Sequence, residues 1–224
     1  KELEKIAIKA QKRPFSLKDA PQMAAYTLEN TLHLGTNNGD LQMELEELGL
    51  RGQHNLYNSM AAALSAASFN IQKESIRNSL HTFSGVEHRL ESVCNVRGVE
   101  FINDSKATNV NSCWYALESM RTPTVLILGG TDKGNDYNEI KQLIKEKVHT
   151  LVFMGADNSK LENFFAPLGI PFVSTHSMED AVKAAYHKAH VGDTVLLSPC
   201  CASFDLFKNY EDRGRLFKET VKAL

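Results

Sequence analysis

From Leu90 onward the sequence alternates short apolar runs with longer amphipathic segments, and this rhythm constrains the fold more than any other feature. Leu90 to Asn95 and Val99 to Ile102 read as a hairpin about Arg97-Gly98, followed by a helix over 110–120. Thr124 to Leu128 is an unbroken apolar strand ending in Gly129-Gly130. A helix Tyr137–Lys147, a strand Thr150–Met154, a helix Ser159–Ala166 and a strand Phe172–Ser174 come next. A helix Met178–His190, a strand Thr194–Leu197 and a last helix from about Phe204 to Leu224 complete the series. Strands and helices alternating at this spacing predict a parallel sheet with right-handed crossovers, and such sheets bind ligands beyond the carboxyl ends of their strands.

Three of those ends carry unusual chemistry: Asn103 to Asn109 (NDSKATN), Gly129 to Gly134 (GGTDKG) and Ser198 to Asp205 (SPCCASFD). The first runs a strand straight into a helix start that offers a carboxylate, two hydroxyls, an ammonium and an amide. Free N–H groups at that helix start favour an anion. An ordinary N-cap explains Asp, Ser, Thr and Asn there, but explains Lys106 least. Lys133 sits at the second end, and Ser203 is expected beside the start of the last helix. Two ammonium groups, hydroxyls and helix N–H groups on one rim predict a small dianionic ligand, the alternative being a solvated rim.

The earlier part of the chain has a different pattern. Between Ala25 and Leu45 the apolar residues alternate, with turn-forming clusters between them, which predicts a small antiparallel meander. Gly52 to Asn58 (GQHNLYN) opens an Ala-rich helix running Ser59 to Ser68, and a second helix spans Lys73 to Phe83. The change of pattern after Phe83, at Ser84-Gly85-Val86-Glu87, predicts a boundary with Arg89 at the hinge and divides the chain into residues 1–86 and 87–224. Lys1 opens directly into polar, helix-compatible sequence, as in a piece of something longer.

Composition narrows the function. With 25 basic and 27 acidic side chains the net charge is −2, which leaves no electrostatic footprint for nucleic acid or an anionic membrane. No apolar run approaches the roughly 18 residues that span a bilayer, and KELEKIAIKAQKR lacks the apolar core of a signal peptide, so a cytoplasmic protein is expected. A small-molecule partner and a monomer are expected as well. Cys94, Cys113, Cys200 and Cys201 lack CxxC spacing and read as reduced, mostly buried thiols; no metal ligands are expected in these residues. The sequence GGTDKG is not GxxxxGK[ST], and that phosphate loop occurs nowhere in the chain. If ATP is used, its phosphate grip lies elsewhere. Asn55 and Asn58, at i and i+3, are candidates to present amides to a purine edge, or are capping and surface residues.

GQHNLYNSMAAA at 52–63, EHRLE at 87–91, INDSKATN at 102–109, LGGTDKG at 128–134 and LLSPCCASFDLFKNYEDRGRLF at 196–217 resemble, in order, signatures of the D-glutamate-adding branch of the muramyl ligase family. The resemblance implies the back part of a central ATPase domain followed by a Rossmann-like C-terminal domain with helices on both faces of a mostly parallel sheet. It implies ATP-dependent amide formation through an acyl phosphate, joining D-glutamate to UDP-N-acetylmuramoyl-L-alanine in peptidoglycan precursor synthesis. ATP and Mg²⁺ are the implied cofactors, with the phosphate loop, the Mg²⁺-binding Glu and His and a carbamylated lysine upstream. No catalytic residue is then expected in this segment, which would be inactive alone. Asn55 and Asn58 resemble the adenine-facing pair, and Arg89 and Asp104 the groups near the ribose and phosphates. Lys106, Thr108, Lys133 and Ser203 resemble the D-glutamate pocket, where charge-assisted hydrogen bonds would hold two carboxylates. Tyr210 stands where a Phe is often found, a change that a role through its backbone N–H tolerates and a role for the bare ring does not. Cys200-Cys201 replaces a commoner Ala-Cys, a change read as packing. Sister ligases, folylpolyglutamate synthase and a noncatalytic nucleotide or amino-acid binding module remain the alternatives.

Overall fold

The structure, a computed structural model, describes residues 9–18, 22–37, 39–50 and 52–224; the helix-compatible opening at Lys1 lies outside them. The chain forms two compact units, Lys1–Gly85 and Val86–Leu224.

In the first unit, β1 (Ala25–Leu28), β2 (Thr31–Thr36) and β3 (Gly39–Glu44) form the expected antiparallel meander in the order β1-β2-β3. The register sets Leu32 opposite Met43 and Leu34 opposite Leu41, so the alternation seen in the sequence puts one face of the sheet into a core. Helices α1 (Gln53–Ser68) and α2 (Lys73–Thr82) cover that face with Met60, Leu64, Ala67 and Ile76. Helix α1 begins at Gln53 rather than Ser59, because Gly52, with φ of 95°, turns the chain directly into it. Asn55 and Asn58 therefore lie in its first two turns.

The second unit holds a six-stranded sheet in the order β4-β5-β9-β6-β7-β8. Strands β4 (Glu91–Val96) and β5 (Val99–Asn103) form the antiparallel hairpin, with Arg97 and Gly98 at φ of 50° and 87°, as a primed two-residue turn requires. Strands β6 (Thr124–Gly129), β7 (Val148–Met154), β8 (Phe172–Thr175) and β9 (Thr194–Cys200) run parallel to β5. Successive residues of β6 point to opposite faces. Leu126 and Leu128 meet α3 (Val110–Ser119), α4 (Lys141–Lys147) and α5 (Ser159–Phe165), whereas Val125 and Ile127 meet α6 (Met178–Lys188) and α7 (Tyr210–Lys222). The fold is thus a mixed α/β one in three layers, and every β6 residue is buried.

Three boundaries in the second unit differ by three residues or more from the sequence reading. The helix expected from Tyr137 is a 3₁₀ turn over Tyr137–Glu139 before α4, since the Asp136 carboxylate accepts the Asn138 N–H and caps the tighter turn. Strand β9 continues to Cys200 instead of ending at Leu197. The last helix starts at Tyr210, not Phe204, because the Asn209 side chain accepts the Asp212 N–H as N-cap. Ser203 is consequently in the turn that precedes α7 and not beside its first residue.

Candidate functional site

The carboxyl ends of β5, β9 and β6 are neighbours in the sheet, so the three chemically unusual segments share one edge. Helices α3, α4 and α5, which follow β5, β6 and β7, lie on one face, and α7, which follows β9, lies on the other. Chains that leave adjacent strands toward opposite faces open a crevice at the strand ends. Two glycines shape its β6 side. A Cβ on Gly129 would lie 2.3 Å from the Met154 carbonyl oxygen, and one on Gly130 2.3 Å from that of Ala202, so no other residue permits both approaches. Beyond them Thr131 and Ala202 exchange backbone hydrogen bonds of 2.8 and 3.2 Å, which join the loops after β6 and β9.

At the β5 end, Asp104 is buried, accepting from the Ser198 hydroxyl at 2.9 Å and the Leu90 N–H at 3.2 Å. Burial pushes its carboxyl up to about 7 against the opposing pull of these hydrogen bonds and of Arg89 and Arg213. Arg89 is exposed and its N–H donates to the Val86 carbonyl at 3.2 Å. Lys106 is half-buried, its N–H donating to the His88 carbonyl at 3.0 Å and its ammonium 5.3 Å from the Tyr210 ring centre. Thr108 is half-buried too, its N–H bonded to the Lys106 carbonyl at 2.9 Å. Tyr210 opens α7, and its ring meets His88 edge-on at 6.1 Å.

On the other side of β9, Ser203 is buried and its carbonyl accepts the Phe207 N–H at 2.9 Å. Lys133 is exposed, with its ammonium 6.0 Å from the Phe204 ring centre. The loop carrying it is fixed from beneath. Asp132 accepts the N–H groups of Gly134 and Asn135 at 2.7 and 3.2 Å, the Tyr137 hydroxyl at 2.6 Å and the Lys160 ammonium at 2.7 Å. Burial opposes ionisation of Asp132, but these donors outweigh it and hold the carboxyl down at about 2. Asn135 adds a bond of 3.0 Å to the Cys200 carbonyl, which ties the Lys133 loop to the end of β9.

Seven of the nine candidate residues therefore belong to this edge or the turn beside it, while Asn55 and Asn58 belong to α1 of the first unit, Asn55 buried and Asn58 exposed. Sequence reasoning missed the groups that hold the edge together. Arg213 is wholly buried, donating to the Ser105 hydroxyl and carbonyl at 3.0 and 2.8 Å and twice to the Cys201 carbonyl at 3.2 Å. Burial lowers its guanidinium to about 10. Asn103 donates to His88 Nδ1 and to Glu91, both at 3.0 Å. In the sequence Arg213 falls on the apolar stripe of α7 with Phe217 and Val221, which signals that it is buried but not what it bonds.

Residues 88–201 match the family model described as Mur ligase, glutamate ligase domain. Across its whole length the chain is 57% identical to a UDP-N-acetylmuramoylalanine--D-glutamate ligase of Bacteroides fragilis, of which it covers 50%. A ligase of the same description from Bacteroides thetaiotaomicron is also 57% identical, again with 100% of this chain and 50% of the relative aligned. The chain thus spans about half the length of the curated relatives it matches. Among solved structures, MurF from Acinetobacter baumannii shares the fold with a TM-score of 0.65 at 16% identity, over 93% of this chain and 46% of that one. A pseudomurein peptide ligase type C from Methanothermus fervidus does so with a TM-score of 0.64 at 21% identity, over 89% and 41%. The chain belongs to the Mur ligase family, and the D-glutamate ligases are its high-identity relatives.

Proposed function

We propose that this chain is the part of an ATP-dependent ligase that receives D-glutamate and presents its amine to an activated UDP-N-acetylmuramoyl-L-alanine in peptidoglycan precursor synthesis. The observation that carries this reading is the sharing of one sheet edge by Lys106 and Lys133, on either side of the end of β9. D-Glutamate brings two carboxylates, and an ammonium beside each supplies a charge-assisted hydrogen bond. The hydroxyls of Thr108 and Ser203 and the N–H groups at the start of α7 supply neutral donors to the same oxygens. Residues 1–86 are read as the back of the ATP-binding domain, with Asn55 and Asn58 on the adenine, and residues 87–224 as the amino-acid domain, with Arg89 and Asp104 toward the ribose and phosphates.

In the proposed reaction a carboxylate oxygen of the acceptor attacks the terminal phosphorus of ATP and ADP leaves. The D-glutamate amine then attacks the acyl carbon, phosphate leaves and the nitrogen loses a proton, so that an amide remains. The residues of this edge do not suit Mg²⁺, which demands near-octahedral oxygen ligands. Asp104 is committed to Ser198 and Leu90 beside Arg89, and Glu87 and Glu91 accept from the Lys218 ammonium. Metal ligands and phosphate grip are assigned to sequence outside this chain, and the chain alone is expected to release no ADP. The test is ADP release by the full-length enzyme with UDP-N-acetylmuramoyl-L-alanine and each candidate amino acid. Turnover that depends on D-glutamate supports the reading. Turnover with L-alanine or a diamino acid instead identifies a sister ligase, and tight amino-acid binding without turnover in the complete protein identifies a binding module.

A further inference from the structure

At the opposite, amino edge of the same sheet stand His149, His190 and Asp193, and we propose that they form a site for one divalent transition-metal ion of the zinc class. His149 is the second residue of β7, Asp193 immediately precedes β9, and His190 lies in the turn between α6 and β9. Because β6 separates β7 from β9, the three side chains meet across its amino end. The turn is fixed: the His190 N–H donates to Asp193 Oδ2 at 2.7 Å, the Asp193 N–H to the His190 carbonyl at 3.0 Å, and the Thr194 N–H to the Pro123 carbonyl at 3.0 Å.

One ligand atom from each residue lies within 4.8 Å of the others. Asp193 Oδ2 is 2.9 Å from His149 Nε2 and 3.4 Å from His190 Nδ1. A tetrahedral ion with bonds of about 2.0–2.1 Å keeps its ligand atoms roughly 3.3 Å apart, so the two His–Asp distances already fit closely and a turn of the exposed His190 side chain would bring the two imidazoles to the same spacing. His149 Nδ1 is 3.1 Å from the Thr150 hydroxyl, which accepts its hydrogen once Nε2 binds the ion and so orients the ring from behind. Two imidazoles and one carboxylate suit Zn²⁺ better than Mg²⁺ or Ca²⁺, and leave a fourth position for water beside the exposed His190. An ordinary His149–Asp193 hydrogen bond accounts for one imidazole, but not for a second whose ring nitrogen approaches the same buried oxygen. Among the described residues, the other group of comparable composition, Glu87, His88 and Glu91, already has the Lys218 ammonium on both carboxylates.

Such an ion would tie the start of β7 to the entry of β9 at the edge remote from the proposed amino-acid site. The test uses the full chain, stripped with a chelator, titrated with ZnCl₂ by calorimetry and followed by thermal melting. One equivalent is expected to bind and to raise the melting temperature. His190→Ala, at an exposed position, should raise the dissociation constant by about 100-fold or more and abolish the thermal shift. Cys94→Ser and His187→Ala, outside the cluster, should leave both unchanged. No binding at about 100 μM Zn²⁺, or binding of unchanged affinity in His190→Ala, overturns the proposal; so does binding that survives His190→Ala and is lost in Glu87→Gln.

Discussion

Single residues at the carboxyl edge differ in how much structure depends on them, and this separates recognition from folding. Lys133 is exposed, and the Asp132 network holds its loop without using its side chain. Lys133→Ala in the full-length enzyme should therefore raise KM for D-glutamate by an amount worth about 1.5–3 kcal/mol, while melting of this chain changes by roughly 0.5 kcal/mol or less. Early melting with unchanged D-glutamate dependence would move the pocket elsewhere. Asp104 is the converse case, because its pKa rises from the ordinary 3.8 to about 7 on folding. Below pH 4 both folded and unfolded chains carry the proton. Between pH 4 and 7 only the folded chain retains it, so stability falls with rising pH and levels off above 7, by on the order of 3–4 kcal/mol from this group. The difference in unfolding free energy between the wild type and Asp104→Asn, measured by urea denaturation from pH 4.5 to 7.5, should follow that slope. A flat difference would mean that Asp104 is ionised and well solvated.

Between elements, α7 is held against the end of β5 by one buried guanidinium and one missing side chain. Arg213 donates to backbone carbonyls at the ends of both β5 and β9. A lysine cannot reproduce that fork, so Arg213→Lys should cost about 2–4 kcal/mol in chemical denaturation, from carbonyls left unpaired. A loss under 0.5 kcal/mol would show that water replaces the fork. One residue on, a Cβ at Gly214 would come 2.2 Å from His88 Nδ1, and that ring is buried and bonded to Asn103. Gly214→Ala gains about 1 kcal/mol of helix propensity but must displace the ring, so a net loss of about 1–2 kcal/mol is expected. The same displacement should disturb Lys106, whose N–H is bonded to the His88 carbonyl. Heteronuclear NMR of Gly214→Ala is expected to show a shifted Lys106 amide, and an unmoved one would separate the two. These dependencies explain what the sequence revealed and what it hid. Unbroken runs such as Val125–Leu128 announce buried parallel strands locally, and a lysine inside a helix cap announces itself. Arg213, His88 and the His149–Asp193 pair take their roles from partners distant in sequence, which no local period encodes. The start of the last helix was misplaced because Phe204-Asp205-Leu206-Phe207 is apolar enough for a helix, whereas the Asn209 cap decides where the N–H groups are satisfied.

At the scale of the whole chain, the cores are separable. The residues of the meander core all come from Leu17 to Leu80, and those of the two cores flanking the large sheet all come from Leu90 to Val221. Each cluster contains the helices that cover its own sheet. A unit whose hydrophobic burial is internal retains its main stabilising contribution when separated. Residues 86–224 expressed alone should accordingly fold, with a cooperative denaturant transition and a midpoint close to the corresponding transition in the full chain. Limited proteolysis of the full chain should cut first near 84–88, where Ser84, Val86 and Glu87 are exposed, and only later between 124 and 200, where β6, β7 and β9 are buried. Cutting at equal rates in both regions, or a separated 86–224 unit that lacks a cooperative transition, would show that the large sheet draws its stability from residues before Val86.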